Sequence, residues 1–177
     1  MKESPEEAES PRDESGEAAL VQNRLHNLEQ IDALTETYPF RFDPTAPISR
    51  IVEENEPKSG EELEGEALRV RAAGRILARR VQGKAGFLDL SDGRSRLQVY
   101  VRQDAVGEPG WTLYKSLDLG DWIGVAGPLF RTRTGQLSVK AERLAFLAKC
   151  LRPLPEKWHG LRDVELRHRR RYLDLAV

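Results

Sequence analysis

Hydrophobic positions along this chain recur first at helical and then at strand spacing. Val21, Leu25, Leu28, Ile31 and Leu34 fall three or four residues apart, one apolar stripe of a helix expected from about Ala18 to Glu36. Tyr38-Pro39 closes it, because the residue before a proline is pushed out of helical geometry. Residues 39–48 read as an ordered loop, and Arg50 to Glu66 as an acidic linker or short helix. At Leu68 the period drops to two. Leu68, Val70, Ala72, Gly74, Ile76 and Ala78 alternate with Arg69, Arg71, Ala73, Arg75 and Arg79, a half-buried strand with a basic outer face. Gly74 inside it predicts a bulge or a sharp bend. Further strands are expected over Ala85–Ser91, Ser95–Arg102, Trp122–Phe130 and Gln136–Leu147, with a short helix near Trp111–Leu117. Five strands with a helix between the third and fourth is the order of an OB-fold β-barrel, so the fold class is mainly β. The organisation that follows is an acidic disordered tail (1–17), an N-terminal helix and acidic linker (18–66), the barrel (67–150) and a linker or helix (151–177).

The second hairpin carries the most specific expectation. If Asp92 and Gly93 are its two turn residues, Leu88 faces Leu97, Asp89 faces Arg96 and Phe87 faces Gln98. Leu88 and Leu90 take the core, so Phe87 and Gln98 lie outside. An exposed Phe stacks on any base, and a Gln amide can match the N3–H and a carbonyl of uracil together. Nearby arginines would hold phosphates, the candidates being Arg75, Arg79, Arg80, Arg131 and Arg133. The same alternation also allows Phe87 to pack beneath the N-terminal helix or a loop.

Charge sharpens this picture. The net charge is −1, but residues 1–66 carry 6 Lys/Arg against 18 Asp/Glu, and residues 67–177 carry 22 against 11. A basic barrel suits a polyanion such as nucleic acid, although lysines and arginines also simply solvate surfaces. No phosphate-binding glycine loop and no His/Cys ligand cluster is present; His26, His159 and His168 are scattered, and Cys150 is the single cysteine. No catalytic residue, metal ligand or cofactor site is expected in this chain. The acidic start and the lack of a long apolar run exclude a signal peptide and a membrane partner, and make a cytoplasmic protein the expectation.

Three stretches resemble one family. GRILARRVQGKAGFLDLSDGRSRLQVYVR (74–102) is similar to the first three barrel strands of bacterial-type class II lysyl-tRNA synthetases. LDLGDWIGVAGPLFRTRTGQLSV (117–139) looks like their fourth strand and the turn into the fifth, and LAKCLRPLPEKWHGLRDVELRHRRRYLDL (147–175) like their approach to the catalytic domain. The resemblance implies an anticodon-binding domain of a lysine–tRNA ligase, with the lysine tRNA anticodon stem-loop as partner. It assigns Phe87 to stacking, Gln98 to the uracil edge of the central anticodon base, and Arg80 to a base or phosphate. Gln136 stands where the family commonly has Glu, which puts base preference there in doubt. It further implies ATP and Mg2+ in a catalytic domain beyond these residues, a homodimeric full-length enzyme and no aminoacylation by this chain alone. The chain stops at Val177 in apolar sequence, which suggests truncation. The alternatives are a free-standing OB module for single strands, and the equivalent domain of an aspartyl- or asparaginyl-tRNA synthetase.

Overall fold

The computed structural model describes residues 14–152. The expected tail over 1–17 therefore lies outside them up to residue 13, and the expected linker or helix over 151–177 lies outside them from 153 onward. Helix α1 spans Glu14–Asp32, starting inside the segment assigned to the tail and ending four residues before the expected Glu36. Ile31 is fully buried and Leu28 packs against the core, whereas Leu34 falls beyond the helix and is exposed. The acidic stretch forms two helices, α2 (Ile48–Asn55) and α3 (Gly60–Glu66). Ser59 opens α3 with a reciprocal capping box. Its hydroxyl accepts from the Glu62 N–H at 3.2 Å, and the Glu62 carboxylate accepts from the Ser59 N–H at 2.7 Å.

The strands are β1 (Arg69–Gln82), β2 (Ala85–Ser91), β3 (Arg96–Arg102), β4 (Trp122–Arg131), β5 (Leu137–Lys140) and β6 (Arg143–Ala148), with helix α4 (Gln103–Ser116) between β3 and β4. They run β1-β2-β3-β5-β4-β6, and β1 also pairs with β4, so five strands close a ring. The expected fifth strand is broken in two at Ala141-Glu142. Ala141 N–H donates to Tyr100 of β3 at 2.8 Å, and Glu142 N–H donates to Ala126 of β4 at 2.9 Å. At that point the chain leaves the β3 edge, and β6 continues along β4 alone. Inside the ring lie Val70, Ile76, Leu88, Leu90, Leu97, Val99, Val101, Ile123, Val125, Leu129 and Val139, all buried; Trp111, Leu113, Tyr114 and Leu117 join the same core from α4 and its end.

Two local features depart from the expected pattern. The register break in β1 falls at Leu77, between Ile76 and Ala78, not at Gly74. Gly74 is needed for space: a Cβ there would meet Ile48 at 2.8 Å and the Ser91 carbonyl at 2.9 Å. The extra residue at Leu77 reverses the alternation behind it, so Arg79 pairs with Leu88 on the core side and Arg80 pairs with Phe87 on the outer side.

The β2–β3 hairpin also has a longer turn than the two residues expected. Ser91 pairs with Arg96, which leaves residues 92–95 as the loop. The cause is Asp92, whose Oδ1 accepts the N–H groups of Arg94 (3.0 Å) and Ser95 (2.9 Å), while Gly93 takes a φ of 91°. Phe87 therefore opposes Tyr100, and Gln98 opposes Asp89. The slip is two residues, an even number, so every side chain keeps its face.

Asp92 also reaches α2. That helix begins after Pro47, which offers no side-chain cap, and Asp92 Oδ2 accepts the Ser49 N–H at 2.8 Å. Burial alone would raise this carboxyl, but the N–H groups of Ser95, Ser49 and Arg94 outweigh it and hold the pKa down to about 2. Its contribution to stability is therefore complete above the unfolded value of 3.8 and is lost as pH falls from there towards 2. Asp92→Ala should destabilise the fold by about 1–2 kcal/mol at neutral pH in urea unfolding, as loss of a cap does. The gap from wild type should narrow between pH 4 and 2. A gap that stays constant through that window would show that the carboxylate charge contributes nothing.

Candidate nucleic-acid interface

The pleat brings two rows of side chains to one outer face of the ring. Cross-strand pairing aligns Arg80, Phe87, Tyr100 and Lys140 in the first row. It aligns Asp89, Gln98, Ser138 and Phe130 in the second. Their inward neighbours, Leu88, Leu97, Val99, Leu129 and Val139, hold this face in place from behind. Phe87 and Tyr100 have ring centres 5.0 Å apart at 33°, and Tyr100 and Phe130 lie 6.0 Å apart at 53°. Three half-buried aromatic rings thus form a continuous strip, with the Gln98 amide beside it.

Tyr100 and Phe130 were missed at the level of sequence, although the signal existed. Leu97, Val99 and Val101 take the core, which leaves Tyr100 outside; Leu129 likewise leaves Phe130 outside.

Polar groups complete the face. Arg80 is mostly exposed, 3.7 Å from the Asp89 carboxylate. Ser138 is fully buried between Gln98 and Phe130, and its hydroxyl oxygen lies 3.0 Å from Gln98 Oε1. Gln136 is exposed at the end of the β4–β5 turn, where its carbonyl accepts from Thr132 N–H at 3.0 Å. Arg133 is exposed on the same turn and makes no ion pair among the described residues. Arg75 lies farther down β1, its guanidinium 5.5 Å from the centre of the Trp122 ring.

The two remaining arginines are engaged elsewhere. The bulge turns Arg79 to the core side, where it donates to the carbonyls of Tyr114 (3.2 Å) and Lys115 (2.6 Å) at the C-terminal end of α4. Arg131 is only 17% exposed and acts as a clamp. It donates to Lys58 O at 2.8 Å and to the carbonyls of Glu56 and Gly135, tying β4 to the α2–α3 connection. The structure thus gathers Phe87, Gln98 and Arg80 on one face, puts Gln136 and Arg133 on the turn joining two of its strands, and sets Arg79 and Arg131 to bonds within the fold.

An aromatic strip with an adjacent amide and cationic margins is chemistry for stacking and reading bases. Residues 70–147 match a family model, the tRNA anti-codon family, described as an OB-fold nucleic acid binding domain. These residues belong to that OB-fold family.

Relatives point the same way. The chain is 55% identical over 120 residues to the lysine–tRNA ligase of Listeria monocytogenes, covering 68% of this chain and 24% of that protein. Against the lysine–tRNA ligase of Bacillus subtilis it is 49% identical over 137 residues, 77% of this chain and 28% of the relative. Against that of Halalkalibacterium halodurans it is 46% identical over 161 residues, 90% and 31%. The chain thus spans less than a third of each of these relatives. The OB-fold domain is the part of the chain that carries the aromatic strip, and α2 and α3 brace it from outside the matched span. Among the described residues no helix is long and apolar enough to cross a membrane.

Proposed function

We propose that this chain is the anticodon-binding part of a lysine–tRNA ligase, and that its OB-fold domain holds the lysine tRNA anticodon stem-loop on the Phe87–Tyr100–Phe130 face. The observation that carries the reading is the juxtaposition of a three-ring aromatic strip with the Gln98 amide on an OB barrel related to lysine–tRNA ligases. Phe87 supplies a stacking platform that accepts any base. Gln98 supplies a donor and an acceptor suited to uracil. Arg80 stands beside Phe87, where it can meet a base or a phosphate, and Arg133 and Arg75 are the outer cations. Gln136, a neutral amide on the β4–β5 turn, can hydrogen-bond a neighbouring base.

The mechanism is recognition. Binding free energy gained at the anticodon orients the rest of the tRNA for a reaction carried out elsewhere in the ligase, which we propose is a homodimeric, cytoplasmic enzyme. ATP and Mg2+ belong to that reaction. Among the described residues no group of three or more His, Cys, Asp or Glu is placed to hold a metal ion.

Stem-loop binding should weaken steadily as salt rises, because the outer arginines replace counterions on the phosphates. With about three phosphates neutralised, log K should fall with log salt at a slope near −2, taking about −0.7 per contact for single-stranded RNA. Filter binding or fluorescence anisotropy at 50–300 mM KCl reads this slope. Affinity independent of salt would overturn the proposed cationic face.

A further inference from the structure

We infer that Ser138 is a positioning residue that fixes the Gln98 amide in one orientation, and thereby sets the preference for uracil over cytosine. The inference rests on the anticodon reading above. Its starting point is a hydroxyl with one proton facing two oxygens. Ser138 Oγ lies 3.0 Å from Gln98 Oε1 and 3.2 Å from the Gln136 carbonyl. A serine hydroxyl can donate to only one of them at a time.

Turning the amide end for end keeps its heavy-atom positions and resolves the conflict. Gln98 Nε2 then donates to Ser138 Oγ, and the hydroxyl donates to the Gln136 carbonyl. Both contacts become hydrogen bonds. Ser138 has no exposed surface, so no water competes for either. Gln98 is anchored in the strand between Asp89 and Ser138, and its backbone cannot slide to compensate.

An anchored amide presents its acceptor and its donor in a fixed order. Uracil and cytosine demand opposite orders at the same place. Uracil offers an acceptor at position 4 and a donor at position 3, and cytosine offers a donor at position 4 and an acceptor at position 3. A freely turning Gln98 would serve both bases, whereas a locked one serves only one. The buried serine thus converts an adaptable amide into a discriminating one, without touching the RNA.

The experiment has two arms, both on the full chain. In the first, 15N-edited NMR of the free protein follows the Gln98 side-chain amide. One of its two protons should be protected from exchange in wild type, and that protection should vanish in Ser138→Ala. Two freely exchanging protons in wild type would overturn the lock. In the second, stem-loops with uridine or cytidine at the central anticodon position are titrated into wild type and Ser138→Ala, after thermal unfolding confirms that the variant is folded.

Wild type should prefer uridine about tenfold or more, as a two-bond contact to a base edge does. Ser138→Ala should lose most of that ratio, chiefly by gaining affinity for the cytidine loop, while its Phe87-dependent binding persists. Equal loss on both loops would show a merely structural serine and overturn the inference, as would an unchanged ratio. Absence of any preference in wild type would instead bring down the reading of Gln98 itself.

Discussion

Lys149→Met should destabilise the fold by about 3–5 kcal/mol at neutral pH, the usual cost of removing one partner from a buried ion pair. Lys149 and Asp121 have no exposed side-chain surface. The ammonium donates to Asp118 Oδ2 at 2.6 Å and to Asp121 Oδ2 at 2.9 Å, and Asp121 also accepts the N–H groups of Asp118 and Cys150. This cluster fastens the end of β6 to the loop before β4 and so holds the sheet's last strand. Burial pushes the Asp121 carboxyl above its ordinary value, only partly offset by Lys149 and the two N–H groups. For Asp118 burial acts in the same direction, but the Asn27 amide and Lys149 outweigh it and hold that carboxyl low.

The sign of the pH dependence follows. Without Lys149, Asp121 is a buried carboxylate lacking its cation, and its folded pKa rises further above the unfolded 3.8. The variant's deficit should therefore be largest at pH 7 and above, and shrink as acidification towards pH 4 protonates Asp121 in the folded state. Adding Asp121→Asn should recover part of the loss. Urea unfolding from pH 4 to 8 measures all of this; a deficit under about 1 kcal/mol at pH 7 would mean that the cluster opens to water.

None of that cluster was legible in the sequence. Asp118, Asp121 and Lys149 meet only because β6 pairs with the start of β4, and no local spacing announces it. The strands themselves were legible, since a period of two in β1 to β4 is dictated by burial of one face. What failed was counting across irregularities. The Asp92 side chain wins two backbone N–H groups and lengthens the turn by two residues. The face assignment of Phe87 and Gln98 survived because an even slip preserves the pleat. The bulge at Leu77 is an odd slip, so it exchanged the faces of Arg79 and Arg80. The break at Ala141-Glu142 was hidden because the stretch from Lys140 to Arg143 contains no Gly, Pro, Asn or Asp to mark a turn.

Phe87→Ala should weaken anticodon stem-loop binding by about 1–3 kcal/mol, roughly 5- to 150-fold, whichever base is central. The ring lies on the outer face, half-buried against Tyr100 rather than in the core, with Leu88 beside it taking the interior. Loss of the Tyr100 contact should cost about 0.5–1.5 kcal/mol of stability, which leaves the variant folded. If Phe87→Ala unfolded the domain while the surviving folded protein bound RNA normally, the ring would be a packing residue.

The anticodon face stands or falls on how Phe87→Ala and Gln98→Ala differ when both are titrated with stem-loops carrying each of the four bases at the central position. The expected result is a similar loss on all four for Phe87→Ala, which removes a platform, and a loss confined mainly to uridine for Gln98→Ala, which removes a hydrogen-bonding match. Binding of all four loops unchanged by either substitution would contradict the assignment of this face to the anticodon.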